Sequence, residues 1–323
     1  MDYSLDGTKT ILSFNKKFNS SIINYIFPDS VSSIIFGYTF NQSIIDANLP
    51  NGLTSIIFGR NFNQSVISAN LPDGLTSITF GYAFNRSIIN ANLPNGLTSI
   101  IFGTCFTQRI MSANLPHSLK SVIFGNRFNK SIINANLPSE LVSITFDWHF
   151  NRSIISANLP NGLASVIFGY HFNQSVISAN LPNGLASITF GWEFNRSIIN
   201  ANFPNGLTSV IFGNHFNKSI INASLPNGLT SIVCGTCFNQ SVINANLPNG
   251  LTSITFGYYY THCIINANLP PNLYYIYDYS NRIEFHESLP KLLHSIIYIN
   301  YETNRKTIKY KRNVGKHTKS AIN

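Results

Sequence analysis

From Leu71 to Asn92 the chain reads LPDGLTSITFGYAFNRSIINAN, and its apolar residues fall in a set order. Leu75, Ile78 and Phe80 lead, Phe84 follows, and Ile88 and Ile89 come after a polar gap. Ile78 and Phe80 alternate with polar residues, so the pattern predicts a short strand that turns both toward a core. Gly81 comes next, where the chain can reverse without a Cβ in the way. Ile88 and Ile89 open a second extended piece, β-branched and poor in helix formers. Pro72 ends the preceding piece, and Asp73-Gly74 is a turn signal. No 3.6-residue period runs through the unit, so no helix is expected.

The same unit is written again and again. Prolines stand at 28, 50, 72, 94, 116, 138, 160, 182, 204, 226, 248 and 270, each 22 residues from the last. The consensus is L-P-x-G-L-x-S-I-x-F-G-x-x-F-N-x-S-I-I-x-A-N, in eleven complete copies from Phe27 to Asn268. A fixed period of this length is the signature of a repeat array. Twenty-two residues are too few for a propeller blade or a helix pair. They suit one coil of a β-rich repeat solenoid. The spacing of Leu75, Ile78 and Phe80 is that of a leucine-rich-repeat strand. The expected fold is therefore leucine-rich-repeat-like, with one short parallel strand per coil and a second one open. Stacked strands lie about 4.8 Å apart, and each buried Phe or aliphatic side chain contributes roughly 1.5–3 kcal/mol. One coil cannot bury its own face, so the array is expected to fold as a single elongated domain.

Asparagine recurs in two columns. One follows the second phenylalanine, as Asn41, Asn63 and Asn85. The other precedes Leu-Pro, as Asn48, Asn70 and Asn92. Both read as amide ladders that satisfy backbone groups in the turns.

F-N-x-S-I followed by L-P-x-G-L-x-S-I-x-F-G resembles the FNIP repeat, a leucine-rich-repeat-like unit, from about Leu5 to Pro270. The resemblance implies a protein-interaction scaffold and names no enzyme activity or cofactor. It points to social amoebae or to giant viruses that infect amoebae, and the Ile, Asn, Lys, Tyr and Phe bias agrees with an AT-rich genome. Family members often carry an N-terminal F-box with the repeats as substrate receptor. Residues 1–26 leave no room for F-box helices and read instead as a degenerate capping repeat.

The eleven repeats are followed by worn capping repeats over 269–302, rich in tyrosine. From Thr303 to Asn323 the chain carries seven Lys or Arg and no acid, among them Arg305, Lys306, Lys309, Lys311 and Arg312. Seven units of the formal net charge of +9 therefore belong to this tail, which reads as solvated and disordered. It has a rival reading as a nucleic-acid or phosphate contact.

Specificity belongs to the variable columns. The two residues before each Phe-Asn vary most and are expected at the rim where the strand ends. There Trp148, Tyr170 and Trp192 form one row, and His149, His171, Glu193 and His215 the next. Aromatic anchors are enriched at binding hot spots. A half-exposed packing rim is the competing reading. Ligand types for a metal occur in the histidine row, but parallel side chains do not converge, so no metal is expected. A further column holds Arg86, Lys130, Arg152, Arg196 and Lys218 among glutamines. It is either a solubilising surface or a track for a polyanion. Ile35, Ile57, Ile101, Ile123, Ile167 and Ile211 face outward from the strands with serines and threonines, a mild apolar stripe on a concave face.

Cys234-Gly-Thr-Cys237 looks like a redox or zinc element. The register argues against it, because Cys234 takes a core phenylalanine's place and Cys237 a rim position. Cys105 lies six coils from Cys237, roughly 29 Å at strand spacing, too far for a disulfide. Four unpaired cysteines suit a reducing compartment. MDYSLDGTKT has no basic start and no apolar run, so no signal peptide is expected, and no stretch is apolar enough to span a membrane. Asn-x-Ser sequons such as Asn41-Gln-Ser43 then read as columns of the fold. No Ser-His-Asp set or phosphate loop rises above the repeat. The expectation is an intracellular, non-enzymatic scaffold that binds an unknown protein partner. The alternative is association with nucleic acid or another polyanion through the tail and the Arg/Lys column.

Overall fold

The computed structural model describes residues 3–264, 267–283, 289–290, 293–299 and 306–311, with only the backbone for 308–311. No helix occurs among them. The chain is a parallel β-solenoid with one strand per coil. It divides into two compact units, the first holding Met1–Gln174 with Ala179–Leu185, the second Ser175–Ser178 with Ala186–Asn323. The expectation of a single domain meets two units without a change in the repeat. Stability in such an array is a sum of neighbour terms, with no one centre.

In the first unit, β1 (Tyr3–Leu5) and β2 (Ile11–Phe14) form an antiparallel hairpin. Seven parallel three-residue strands follow: β3 (Ser33–Ile35), β4 (Ser55–Ile57), β5 (Ser77–Thr79), β6 (Ser99–Ile101), β7 (Ser121–Ile123), β8 (Ser143–Thr145) and β9 (Ser165–Ile167). The register never slips: Ile34, Ile56, Ile78, Ile100, Val122, Ile144 and Val166 stand in one buried line. A slip of one residue would expose that whole line, which is why the register is so well specified.

The second unit holds β10 (Ser187–Thr189), β11 (Ser209–Ile211), β12 (Ser231–Val233), β13 (Ser253–Phe256), β14 (Tyr275–Asp278) and β15 (Ser295–Ile299), all parallel. Then β16 (Lys306–Lys311) pairs antiparallel with β15. This corrects the reading of 303–323 as a disordered tail over its 306–311 stretch. Lys-Thr-Ile-Lys-Tyr-Lys has β-formers at intervals, and β15 offers it an open ladder. An antiparallel strand thus lies at each end, β1 on β2 and β16 on β15, where a coil would otherwise present a bare edge.

Within a coil, Phe80 and Phe84 stack at 3.8 Å between ring centroids, and Phe84 stacks on Phe62 and Phe106 at 6.1 and 6.0 Å. The second phenylalanine column, Phe40 through Phe172, is fully buried. Gly81 is required by sterics: a Cβ there would stand 1.8 Å from the Gly59 carbonyl oxygen. The second extended piece proposed for Ile88 and Ile89 is not a strand. Ser87 Oγ accepts the Ile89 N–H at 3.1 Å, and Asn90 takes φ 63°, a left-handed conformation that breaks a strand. The equivalent residues Asp46, Ser68, Ser112, Asn134 and Ser156 are left-handed too. Short polar side chains are the ones that tolerate this conformation best after glycine.

Candidate interaction surfaces

The rim is held in register by backbone bonds between coils. In the first unit the His149 N–H donates to the Asn126 carbonyl and the His171 N–H to the Trp148 carbonyl, each at 2.9 Å. Equivalent side chains are thereby placed beside each other. Trp148 and Tyr170 stack at 4.3 Å with planes 8° apart. His149 and His171 lie 5.3 Å apart, and His171 meets the Trp148 edge at 6.1 Å. Trp148 is 44% exposed. Asp147 stands where other coils have glycine, and its carboxylate accepts the Trp148 N–H at 2.8 Å. The Asn126 amide, turned to donate, hydrogen-bonds the same carboxylate.

The units divide the row expected from sequence. Trp148, His149, Tyr170 and His171 belong to the first, Trp192 and His215 to the second. In the second unit the His215 N–H donates to the Trp192 carbonyl at 2.9 Å, and their rings meet edge-on at 6.3 Å. Trp192 is exposed.

Two aromatic groupings escaped the sequence reading. In the first unit the Arg60 guanidinium lies over both Tyr38 and Tyr82, at 5.5 and 4.5 Å from the ring centroids, a double cation–π contact. Aromatic, cation, aromatic in successive coils of one rim column was the available signal. In the second unit Tyr274 stacks on His294 at 5.1 Å, with Tyr275 5.8 Å from the same ring. Tyrosine richness was legible there, but the pairing with His294 needed the register of β14 on β15.

The cationic column has work inside the fold. Arg86 Nε donates to the Asn63 carbonyl at 2.8 Å and Arg152 Nε to the Asn129 carbonyl at 2.9 Å, as Gln64 does to Asn41. Lys130 and Lys218 are exposed, as is Arg196. Of the tail, Lys306, Lys309 and Lys311 lie in β16, with Lys306 exposed, while Arg305 and Arg312 fall outside the described residues. Of the outward isoleucines, Ile57, Ile167 and Ile211 are the most open, at 37%, 41% and 37%.

The two asparagine columns part company. The Asn63 side-chain oxygen accepts the Asn85 N–H at 2.9 Å, and Asn41, Asn129 and Asn151 do the same for the next coil. That column is a ladder, and with Ser43 Oγ accepting the Ile45 N–H its sequons are part of the fold. The second column is not a ladder, which corrects the sequence reading. Asn70, Asn92 and Asn114 are exposed and bond to no described residue. The chain around them already closes its own turns, with the Leu93 N–H on the Ala91 carbonyl at 3.0 Å.

None of the four cysteines is in a disulfide. Burial pushes the Cys234 thiol well above its ordinary pKa, consistent with its place in a phenylalanine column, while Cys237 sits half-buried at the rim. Tyr260, in the other phenylalanine column, is fully buried with its hydroxyl unpaired, and burial raises its pKa likewise. Among the described residues no group of His, Cys, Asp and Glu is arranged to hold a metal, and no helix is long and apolar enough to cross a membrane.

The pattern described as FNIP Repeat matches residues 40–83, 84–127, 128–171, 172–215, 194–237, 216–258 and 238–277. The chain belongs to the FNIP-repeat family. Its units tile residues 40–277, so the asparagine ladder, rim and Leu-Pro turns described above recur across the matched region. A solved structure similar to it is CroV588, a circular leucine-rich-repeat protein of a giant virus. That match has 31% identity and a TM-score of 0.71 over 92% of this chain. It covers 54% of the other protein, so this FNIP-repeat chain spans about half that length. A pneumococcal vaccine antigen, PcpA, aligns at 13% identity and a TM-score of 0.20, over 90% of this chain and 78% of that one. No curated protein matches by sequence.

Proposed function

We propose that this FNIP-repeat protein is a non-enzymatic scaffold that binds a protein partner along its strand-end rim and outward strand face. A repeat solenoid of this type is a fold typical of interaction scaffolds. The observation that carries the reading is the Trp148–Tyr170 stack, a rigid and half-exposed aromatic pair on a backbone-fixed rim. Large aromatics lose little conformational freedom on contact and dominate binding hot spots. Within the second unit, Trp192 with His215 is a separate aromatic pair on that unit's own rim. Among the described residues no arrangement of acid, base and nucleophile stands out from the repeat, and the Cys234 thiol is buried, which holds it protonated.

The test is affinity capture from an amoebal lysate with the full chain, nuclease-treated, followed by binding measurements on any retained protein. Truncating a hot-spot tryptophan typically removes about 2 kcal/mol or more. Trp148→Ala should therefore weaken the partner about thirty-fold, with the fold intact by circular dichroism. If nuclease releases all that is captured, and binding falls steeply with salt, the tail-driven polyanion reading replaces this one.

A further inference from the structure

Most recurrent columns of the coil have a structural duty. The Leu, Ile and Phe columns form the core, and the glycine after the strand abuts the previous coil's carbonyl. The first asparagine caps the next coil's N–H, serine caps the turn, and the Pro94 carbonyl closes its own turn with the Leu97 N–H. The asparagine before Leu-Pro does none of this. Yet ten of its eleven positions from Asn48 to Asn268 are asparagine, with Ser224 the exception.

These residues line grooves. Asn92, Asn114 and Asn136 run along one of about 510 Å³ in the first unit, beside Leu93, Leu115 and Leu137. Asn158 and Asn180 line a second of about 210 Å³ in the same unit, and Ser224 and Asn246 one of about 370 Å³ in the second unit. No Lys, Arg, Asp or Glu lines any of the three. Seven of the chain's nine formal positive charges lie in residues 303–323, so these grooves belong to a repeat region that is close to neutral.

The chemistry narrows the ligand. A polyanion finds no Lys or Arg there, and only His117 at the edge of the largest of the three. A peptide strand finds no open ladder, since the Ala91, Leu93 and Leu97 N–H groups are already bonded within the turn. A purely apolar ligand meets half-buried leucines fenced by amides. What remains free is a row of carboxamides, each with two donors and an acceptor, repeating at about 4.8 Å. Hydroxyl groups that both donate and accept, on rings with apolar C–H faces, match amides beside leucines. We propose that the asparagine-lined grooves are a binding surface for a neutral polysaccharide, read by the Asn92, Asn114 and Asn136 side chains.

The experiment is co-sedimentation of the full chain with insoluble cellulose, chitin and linear β-1,3-glucan. The probe variant carries Asn92→Ala, Asn114→Ala and Asn136→Ala together. All three residues are exposed, so circular dichroism should confirm an intact fold. A second variant with aspartate at the same positions keeps the shape and adds charge. The expected result is sedimentation with at least one polysaccharide, reduced about ten-fold or more in both variants and unchanged in Trp148→Ala. Absence of binding to all three polysaccharides overturns the proposal, and so does binding that survives either triple variant.

Discussion

Asn63 and Asn70 belong to the same coil, recur with the same period and are chemically identical. Asn63 gives its side-chain oxygen to the backbone of the next coil at 2.9 Å, while Asn70 stands in solvent with no partner among the described residues. Gly81 and Gly74 differ in the same way. Gly81 has the Gly59 carbonyl oxygen 1.8 Å from where a Cβ would stand, whereas Gly74 has nothing nearer than the Asn51 oxygen at 3.6 Å. Identity and periodicity therefore do not reveal which copies of a residue hold the solenoid together. Contact with the neighbouring coil does.

The sharpest way to break this contrast is at glycine. Gly81→Ala forces the backbone of two coils apart and should cost about 3 kcal/mol or more, read as a lowered denaturation midpoint. Gly74→Ala meets only ordinary van der Waals contact and should fall within about 0.5 kcal/mol of the parent. Equal losses at both would mean the coils are not packed as described.

At asparagine the expected effect is smaller. Asn63→Ala leaves the half-buried Asn85 N–H without its acceptor, a loss of about 1–3 kcal/mol. Asn70→Ala should be silent in the same urea titration, within about 0.5 kcal/mol. A destabilised Asn70→Ala protein would give the second column a structural duty after all.

The smallest effect concerns the N-terminal hairpin and depends on pH. The Thr8 hydroxyl and the Ile11 N–H, helped by the Thr10 and Thr8 N–H groups, hold the Asp6 carboxyl down to about 2, against an ordinary value of 3.8. A depressed carboxylate stabilises the folded state above its unfolded pKa and loses that contribution as pH falls through the folded value. Thermal unfolding of the parent should thus gain on Asp6→Ala above pH 4, and the gap should close toward pH 2.

Much of this molecule was legible in its letters. The prolines spaced by 22 residues implied coils, and Leu75, Ile78, Phe80 and Phe84 were readable as core because apolar spacing reports burial directly. The column holding Asp46, Ser68 and Asn90 carried a legible but unread signal. Its restriction to short polar residues marks the left-handed turn that displaced the second extended piece. The tail misled because composition dominated the reading, while Lys306–Lys311 acquires a strand from the edge of β15. The rim was legible as a variable column, but the sandwich of Arg60 between Tyr38 and Tyr82 and the tilt of Trp148 onto Tyr170 were not.

By itself the sequence determined the period, the strand position, the apolar columns and the family, because each depends on spacing within one unit. The tertiary structure alone decided which asparagines are bonded, which glycines are compulsory and which aromatics meet. Those outcomes depend on the atoms of the adjacent coil, 22 residues away in the chain and one strand spacing away in space. A hydrogen bond or a steric contact of that kind is set by angstroms across the stack, and no spacing within a unit encodes it.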